Sequence, residues 1–331
     1  LCPHAVFLSG RRHRYSQISG QIMAMLQDDS PVVEKASIDE AYMDLTGCER
    51  LLGPTRDIAR KIKARIYEQH GLICSIGLAP NKFLAKIASD LDKPDGLRII
   101  PLESVQEFMA ALPVSKLPWV GTKTLSRLHE LGIRFCAQIR QDSLEFWEAK
   151  WGKRGKALYL LAQGYDDAPV VPRRRAKSCG AEDTFARDTA DREVIKAWLL
   201  EQSQEVGKAL RRLKRKGRTV TLKIKFSDFQ SITKNRTLPN PTDNTQLIYQ
   251  TACALLDELH LPRSVRLCGI SVSHFQNRQS QLSLFPEMNS IQDQRLDQVL
   301  DAITCKYGEQ ALVRGDVLHL QRIENPDKKE N

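Results

Sequence analysis

Two adjacent carboxylates, Asp39 and Glu40, are the residues of this sequence whose types and spacing most directly suggest chemistry. They interrupt residues 33–47, which otherwise have strand-like composition. Adjacent side chains of a regular strand point to opposite faces, so these two can share a ligand only where the backbone bends. Because adjacent carboxylates repel, a cation or solvent must lie near them. We expect two strands joined by a tight turn that carries the acids; an exposed hairpin tip without function is the alternative.

The stretch around these acids, residues 37–44 (Ser-Ile-Asp-Glu-Ala-Tyr-Met-Asp), resembles the catalytic motif of Y-family translesion DNA polymerases of the bacterial DNA polymerase IV (DinB; ImpB/MucB/SamB) type. The resemblance implies that Asp39 and Glu40 are catalytic and bind two Mg²⁺ ions at the site of nucleotidyl transfer. Such hard cations prefer carboxylate oxygens, and a metal pair can activate the primer 3′-hydroxyl and stabilise the leaving pyrophosphate. By the family pattern, Asp44 is structural.

Residues 77–96 combine a candidate buried strand, a short amphipathic helix and a Lys-Pro-Asp-Gly turn. This run also matches the Y-family pattern, and by that resemblance Lys93 neutralises the triphosphate of the incoming deoxynucleotide. A compact ammonium beside a turn can reach a phosphate as a point charge, which agrees with that role. We expect Lys82 and Lys86 on this helix, and Lys63 on the preceding one, to be solvated surface charges.

Residues 117–125 (Leu-Pro-Trp-Val-Gly-Thr-Lys-Thr-Leu) resemble a helix-hairpin-helix motif. This motif binds DNA without reading its sequence, since backbone N–H groups at a helix start and a nearby lysine face a phosphate. Gly121 and Lys123 are therefore candidate DNA-binding residues. Trp119 replaces the first glycine of the usual Pro-Gly-Val-Gly hairpin, a departure that gives Lys123 more importance.

Further candidate DNA contacts are basic. The cluster that follows a short proline-bearing linker consists of Arg173, Arg174, Arg175 and Lys177. Lying between two candidate DNA-binding modules, it is expected to contact phosphates. Residues 177–185 resemble the opening of the Y-family little-finger domain, whose sheet lies against the duplex backbone, and this implies that Lys223 and Lys225 contact DNA. Phosphate contacts of this kind give affinity but little sequence preference.

A short peptide after the predicted little finger, Gln-Leu-Ser-Leu-Phe at residues 281–285, matches the motif by which bacterial polymerases bind the β sliding clamp. The candidate clamp-binding residues are Gln281, Leu282, Leu284 and Phe285. Apolar anchors would enter pockets of the clamp, and the glutamine would hydrogen-bond at their rim. The alternative is a small edge strand packed on its own domain.

The order of the predicted helices and strands that position these residues indicates an α+β fold with several domains. A partial ferredoxin-like palm spans residues 1–101 and begins with short strands at residues 5–8 and around the two acids. A helix-hairpin-helix thumb (102–165), a linker (166–176), a β-α-β-β-α-β little finger (177–276) and a tail with a C-terminal helix (277–331) follow.

Bulk composition restricts the class of protein. Lysine and arginine number 50 against 40 acidic residues, a formal charge of +10 that favours a polyanionic partner. None of the eight cysteines forms Cys-x-x-Cys, so we expect reduced thiols of a cytoplasmic protein and neither a zinc site nor a disulfide framework. No apolar run is long enough to span a membrane. Primer–template DNA, deoxynucleoside triphosphates and the clamp are the expected partners of a monomer.

The start of the chain bears on the expected activity. Family members begin with a strand carrying another metal-binding aspartate, followed by a fingers domain, and neither is recognisable here. The resemblance therefore implies an error-prone, magnesium-dependent DNA polymerase, but it leaves open a chain that is inactive and only binds damaged DNA and the clamp. A nuclease using the same carboxylates is a weaker alternative, because no further acid cluster or activating histidine accompanies them.

Overall fold

The computed structural model describes residues 2–172, 175–276, 288–308, 311–312 and 315. The chain divides into two compact units, Leu1–Arg174 and Arg175–Asn331, and each is described by itself. No helix in the described ranges is long and apolar enough to cross a membrane. The mixture of helices and strands confirms the predicted α+β class.

The first unit begins with short strands between helices. Its elements are α1 (Arg12–Asp29), β1 (Val33–Lys35), β2 (Ala41–Met43), α2 (Glu49–Leu52), α3 (Thr55–His70), β3 (Ile76–Leu78), α4 (Lys82–Leu91) and β4 (Leu97–Ile99). Strands β1 and β2 form an antiparallel hairpin, whereas β3 and β4 pair in parallel. The strand predicted at residues 5–8 is wrong: Phe7 is 94% exposed, and this segment lies outside both sheets.

Apolar faces of these elements build two cores. Met25 and Leu26 of α1 pack with Val33 of β1 and with the buried stripe of α3 beneath the hairpin. The apolar face of α4, by contrast, belongs to a second core that continues into the following helices, with Leu84 completely buried. Helix α4 approaches β3 closely because Gly77 has no side chain: a Cβ there would lie 2.0 Å from the Ala85 carbonyl oxygen.

The remainder of the first unit is helical. It contains two short 3₁₀ helices, Leu102–Ser104 and Val114–Lys116, and α5 (Val105–Ala111), α6 (Thr122–Glu130), α7 (Cys136–Ile139), α8 (Leu144–Trp151) and α9 (Lys153–Ala162). Trp147 lies at the centre of this core with no exposed surface, and its indole N–H donates to the Ile139 carbonyl at 2.9 Å. Gly132, two residues after the end of α6, has a φ of 76°, in the left-handed conformation that glycine favours.

The second unit has the predicted β-α-β-β-α-β order. It comprises β5 (Ser178–Thr189), α10 (Arg192–Arg212), β6 (Gly217–Phe226), β7 (Ser231–Thr242), α11 (Thr245–Asp257) and β8 (Val265–Phe275). The antiparallel sheet has the order β5-β8-β6-β7. Side chains alternate between the two faces of β6. Val220, Leu222 and Ile224 are buried in the core that contains α10 and α11, and the residues between them lie on the opposite, partly exposed face.

The predicted C-terminal helix, α12 (Met288–Tyr307), is attached to the second unit by charge. The guanidinium of Arg211 on α10 holds both oxygens of Asp301, at 2.6 and 3.0 Å, and donates to Asp297 at 3.0 Å. Asp297 also accepts the backbone N–H of Thr245 at 3.0 Å, and only 6% of its surface is exposed. Such bidentate, partly buried pairing orients the helix on the domain.

Candidate functional site

The two adjacent acids lie at the tip of the β1–β2 hairpin, in the turn that the sequence predicted. The backbone closes the turn through hydrogen bonds from the N–H groups of Ala36 and Ser37 to the Glu40 carbonyl, at 3.0 and 3.2 Å. The Ser37 hydroxyl accepts the N–H of Asp39 and of Glu40, at 3.2 and 3.1 Å. One small hydroxyl therefore imposes the bend that presents two consecutive carboxylates.

Asp39 is a strong anion on an exposed turn. The Ser37 hydroxyl donates to its Oδ1 at 2.5 Å, and this bond, followed by the backbone hydrogen bond of Asp39, lowers the pKa of the carboxyl. Asp44 is used differently, since its Oδ1 accepts the N–H of Thr46 at 2.9 Å. This bond closes a local turn, while the structural role of Asp44 stays a prediction.

Glu40 is bound by an ammonium group of α4. Lys86 Nζ lies 2.8 Å from Glu40 Oε1 and 3.0 Å from Asp90 Oδ2, and Lys93 Nζ lies 2.6 Å from Asp90 Oδ1. The four side chains Glu40, Lys86, Asp90 and Lys93 thus form an alternating charge chain between the hairpin tip and the Lys-Pro turn. Lys86 keeps the surface position that the sequence predicted, with 31% of its side chain exposed, but a carboxylate from a distant segment pairs with it.

Charge alternation shifts the titration of the inner two groups. Desolvation by partial burial acts against the charge of Lys86, but hydrogen bonds to Glu40 and Asp90 outweigh it and raise its pKa. Burial also acts against ionised Asp90, yet hydrogen bonds from Lys93 and Lys86 prevail and lower its pKa. The sequence interpretation missed Asp90, although its spacing of four residues from Lys86 and three from Lys93 is a detectable helix-face signal.

A second lysine of α4 is more deeply buried. Lys82 Nζ lies 2.5 Å from Glu34 Oε2, and the two side chains are only 10% and 5% exposed. The same glutamate oxygen accepts the Val171 N–H at 2.8 Å, and Lys82 also lies over the Tyr42 ring, 4.9 Å from its centroid. The prediction of Lys82 as a surface charge is therefore wrong; it is an internal link between the hairpin and the segment at Val171.

Lys93 keeps an exposed ammonium on an anchored turn. Its side chain is 56% exposed. The turn that follows is held by Lys63 of α3, whose Nζ lies 2.9 Å from the Asp95 carbonyl oxygen and 2.5 Å from Asp95 Oδ1. The Lys63 side chain is only 17% exposed, so its prediction as a solvated charge is wrong.

Divalent cations suit the donors at the hairpin tip. Asp39 is exposed, and the Glu40 side chain, which pairs with the Lys86 ammonium, is 44% exposed. Among the described residues no group of three or more histidine, cysteine or acidic side chains could hold a metal ion. Two carboxylates fit a Mg²⁺-like ion, which ordinarily keeps waters and substrate phosphates among its ligands.

The predicted helix-hairpin-helix surface is exposed on the first unit. Gly121 is the N-cap of α6, no side chain caps that terminus, and Lys123 is exposed two residues later, in the first turn of the helix. A Cβ on Gly121 would meet no atom within 4 Å, so packing inside the chain does not require glycine here. Absence of a side chain instead permits close approach of a ligand to the backbone.

The second unit presents its candidate cations unequally. Arg175 and Lys177 are exposed. Lys223 is paired with Glu182 at 2.7 Å across the sheet. The pair lies over Gly269 of the strand between them, where an added Cβ would lie only 2.6 Å from the Glu182 Cβ. The Lys225 ammonium lies 5.4 Å from the centroid of the Phe229 ring. The remaining candidates, Arg173, Arg174, Gln281, Leu282, Leu284 and Phe285, lie outside the described residues.

Comparison with known proteins agrees with this fold. The impB/mucB/samB family matches residues 1–90, the thumb domain of DNA polymerase iota matches 115–166, and the impB/mucB/samB C-terminal domain matches 176–284. A DNA polymerase IV from Desulfatibacillum aliphaticivorans is 38% identical over 93% of this chain and 79% of its own. Another, from Alkalilimnicola ehrlichii, is 44% identical over 82% and 77%.

A solved structure supports the same assignment. A Y-family DNA polymerase chimera of Dbh and Dpo4 aligns with a TM-score of 0.75 at 31% identity, covering 82% of this chain and 79% of its own. The chain belongs to the Y family of DNA polymerases, DinB type. The resemblance carried by the short motifs is thereby confirmed along most of the sequence.

Proposed function

We propose that this chain is a DNA-directed DNA polymerase that performs error-prone translesion synthesis during DNA repair. The observation that carries the proposal is the charge chain that joins the Asp39–Glu40 hairpin tip to Lys93 through Lys86 and Asp90. It supports the proposal because two carboxylates suited to a divalent ion and an exposed ammonium suited to a phosphate, paired here with Asp90, lie on neighbouring, anchored turns. Nucleotidyl transfer requires both kinds of charge.

The roles of the chain's own residues follow from their surroundings. Asp39, held ionised by Ser37, and Glu40, oriented by Lys86, would hold Mg²⁺ ions. When bound, the ions supply Lewis acidity to the primer hydroxyl and to the triphosphate. Lys93 would contact the triphosphate, for which its exposed ammonium must exchange Asp90 for a phosphate oxygen. Asp90 keeps its ion pair with Lys86 when Lys93 leaves it, so this acid is not left without a partner.

Template-directed incorporation tests the proposed function. The chain is incubated with Mg²⁺, a primer–template and one deoxynucleotide at a time, opposite each of the four template bases. We expect one-nucleotide extension that favours the complementary nucleotide. Extension in the absence of a template strand, or none with any nucleotide while the primer–template is bound, would overturn the proposal. The second outcome is the non-catalytic DNA- and clamp-binding protein, which the similarity to named polymerases does not favour.

DNA binding is proposed to act through phosphates on two surfaces. Exposed Lys123 and the uncapped start of α6 supply one, and Arg175 and Lys177 contribute to the other. Because neutralising a phosphate releases counterions, each lost cation reduces the salt dependence of affinity. We predict that Lys123→Ala lowers the slope of log affinity against log salt by about 0.9. Fluorescence anisotropy with labelled primer–template measures this slope; an unchanged slope would remove Lys123 from the interface.

Lys223 should behave differently from the free cations. Since Glu182 already neutralises it, we predict that Lys223→Ala changes the salt slope less than Lys123→Ala does. The same titration compares the two variants, and the variant Glu182→Gln should increase affinity by releasing Lys223. Equal slope changes for the two lysines would show that the pair opens completely on DNA.

The Gln-Leu-Ser-Leu-Phe peptide is proposed to bind the β sliding clamp, which agrees with apolar anchors in a polar sequence context. We predict that the variant Leu284→Ala/Phe285→Ala loses clamp binding by surface plasmon resonance and keeps its primer–template affinity. Unchanged clamp affinity would remove the peptide assignment. We further propose that the chain is cytoplasmic and monomeric. Sedimentation of the chain alone would test the monomeric state.

A further inference from the structure

Trp119 has a backbone conformation that its side chain disfavours. Its φ is 65°, in the left-handed region where a bulky residue is an outlier. The indole is 82% exposed, so no buried contact of the side chain explains why tryptophan stands there. Glycine would adopt this φ without strain. Neither the fold of the hairpin nor the packing of its core requires an aromatic residue at this position.

The surroundings of Trp119 are basic. From Pro113 to His129 the sequence contains no acidic residue, whereas it contains Lys116, Lys123 and Arg127, all exposed. Flat aromatic surface within a set of cations is the combination that binds nucleic acid, because cations neutralise phosphates and a ring packs on sugars and bases. The residues that follow in the same segment include the polar Thr122, Thr124 and Ser126, which favours nucleic acid over a protein partner that binds through an apolar patch.

We propose that Trp119 is an additional DNA-binding residue, whose indole packs on a deoxyribose or base of the bound DNA beside a phosphate contacted by Lys123. The inference rests on the proposed DNA-binding function of this hairpin. A neutral ring contributes through packing, so its contribution to affinity is nearly independent of salt. Lys123, by contrast, contributes mainly through charge. The two residues are therefore separable by experiment.

Primer–template affinity of the full chain, measured by anisotropy at several salt concentrations, tests the proposal. We expect Trp119→Gly to weaken binding about tenfold, as loss of one aromatic stacking contact typically does, with an unchanged salt slope. Trp119→Phe keeps an aromatic ring and is expected to retain most of the affinity. The same variant is expected to be more stable although it binds DNA more weakly. Trp119→Gly should raise Tm in thermal unfolding, because glycine relieves the strained φ.

Tryptophan fluorescence gives a second readout. Trp147 has no exposed surface, and Trp151 and Trp198 are only partly exposed, so DNA should quench mainly Trp119. We expect quenching in the native chain and much less in Trp119→Phe. Native affinity in Trp119→Gly would overturn this inference and leave the proposed function intact. Absence of DNA binding by the native chain would instead overturn the proposed function.

Discussion

Replacing Glu40 with glutamine is expected to lower the rate of nucleotide incorporation by about 10³-fold or more, because it removes charge that stabilises the transition state. Asp39→Asn should have a similar effect. Both variants keep the size and hydrogen-bonding oxygen of the original side chain, so the hairpin should fold. Single-turnover primer extension at saturating nucleotide measures the loss, and primer–template affinity should remain near that of the native chain.

Asp44→Asn is the matched control for these two variants. Asp44 belongs to the same stretch, and its Oδ1 accepts the Thr46 N–H, a bond that an asparagine oxygen can also accept. We expect its incorporation rate to stay within about threefold of the native rate, since a surface change away from the chemistry usually has little effect. Loss of activity in all three variants would indicate a general electrostatic or folding effect, contrary to our assignment.

Removing Lys82 is expected to lower the free energy of unfolding by about 3–5 kcal/mol, the cost of leaving a buried charge without its partner. The partner is Glu34, 5% exposed, which also accepts the Val171 N–H at 2.8 Å. Denaturant unfolding of Lys82→Met measures the loss. The double variant Lys82→Met/Glu34→Gln should recover much of it, because the buried charge is then absent.

Lys86→Met, one helical turn further along α4, is the control for this prediction. Its pair with Glu40 is far more exposed, at 31% and 44% for the two side chains. Exposed ion pairs stabilise by at most about 1 kcal/mol, so this variant should unfold almost as the native chain does. Similar losses for the two lysines would contradict the distinction between an internal link and a site residue.

Sequence alone predicted the parts of the fold that have long, regular patterns. Strands β5 to β8 span 10 to 12 residues each, and the alternation along β6 is sufficient to identify its buried face. Strands β1 to β4 span three residues each, too few for periodicity to distinguish them from residues 5–8, which form no strand. The apolar residues of a segment as short as 5–8 are only weak evidence for a strand, because a strand also needs a neighbouring strand to pair with.

The candidate site was predicted only in part, for a related reason. Asp39, Glu40 and Lys93 stand in short motifs, whereas the partners of Lys82 and Lys86 lie 48 and 46 residues earlier in the chain. Helical periodicity assigns those lysines to a polar face but gives no information about which segment covers that face. Trp119 was recognised as a departure from the usual hairpin, but only the structure shows its left-handed backbone.

The most direct test of the account measures metal binding itself. Electron paramagnetic resonance of free Mn²⁺, in the presence of primer–template and a non-hydrolysable deoxynucleotide, compares the native chain with Asp39→Asn/Glu40→Gln. We expect the native chain to remove Mn²⁺ from solution beyond what nucleotide and DNA alone bind, and the variant not to do so. Equal depletion by the two proteins would show that these carboxylates do not hold the ions.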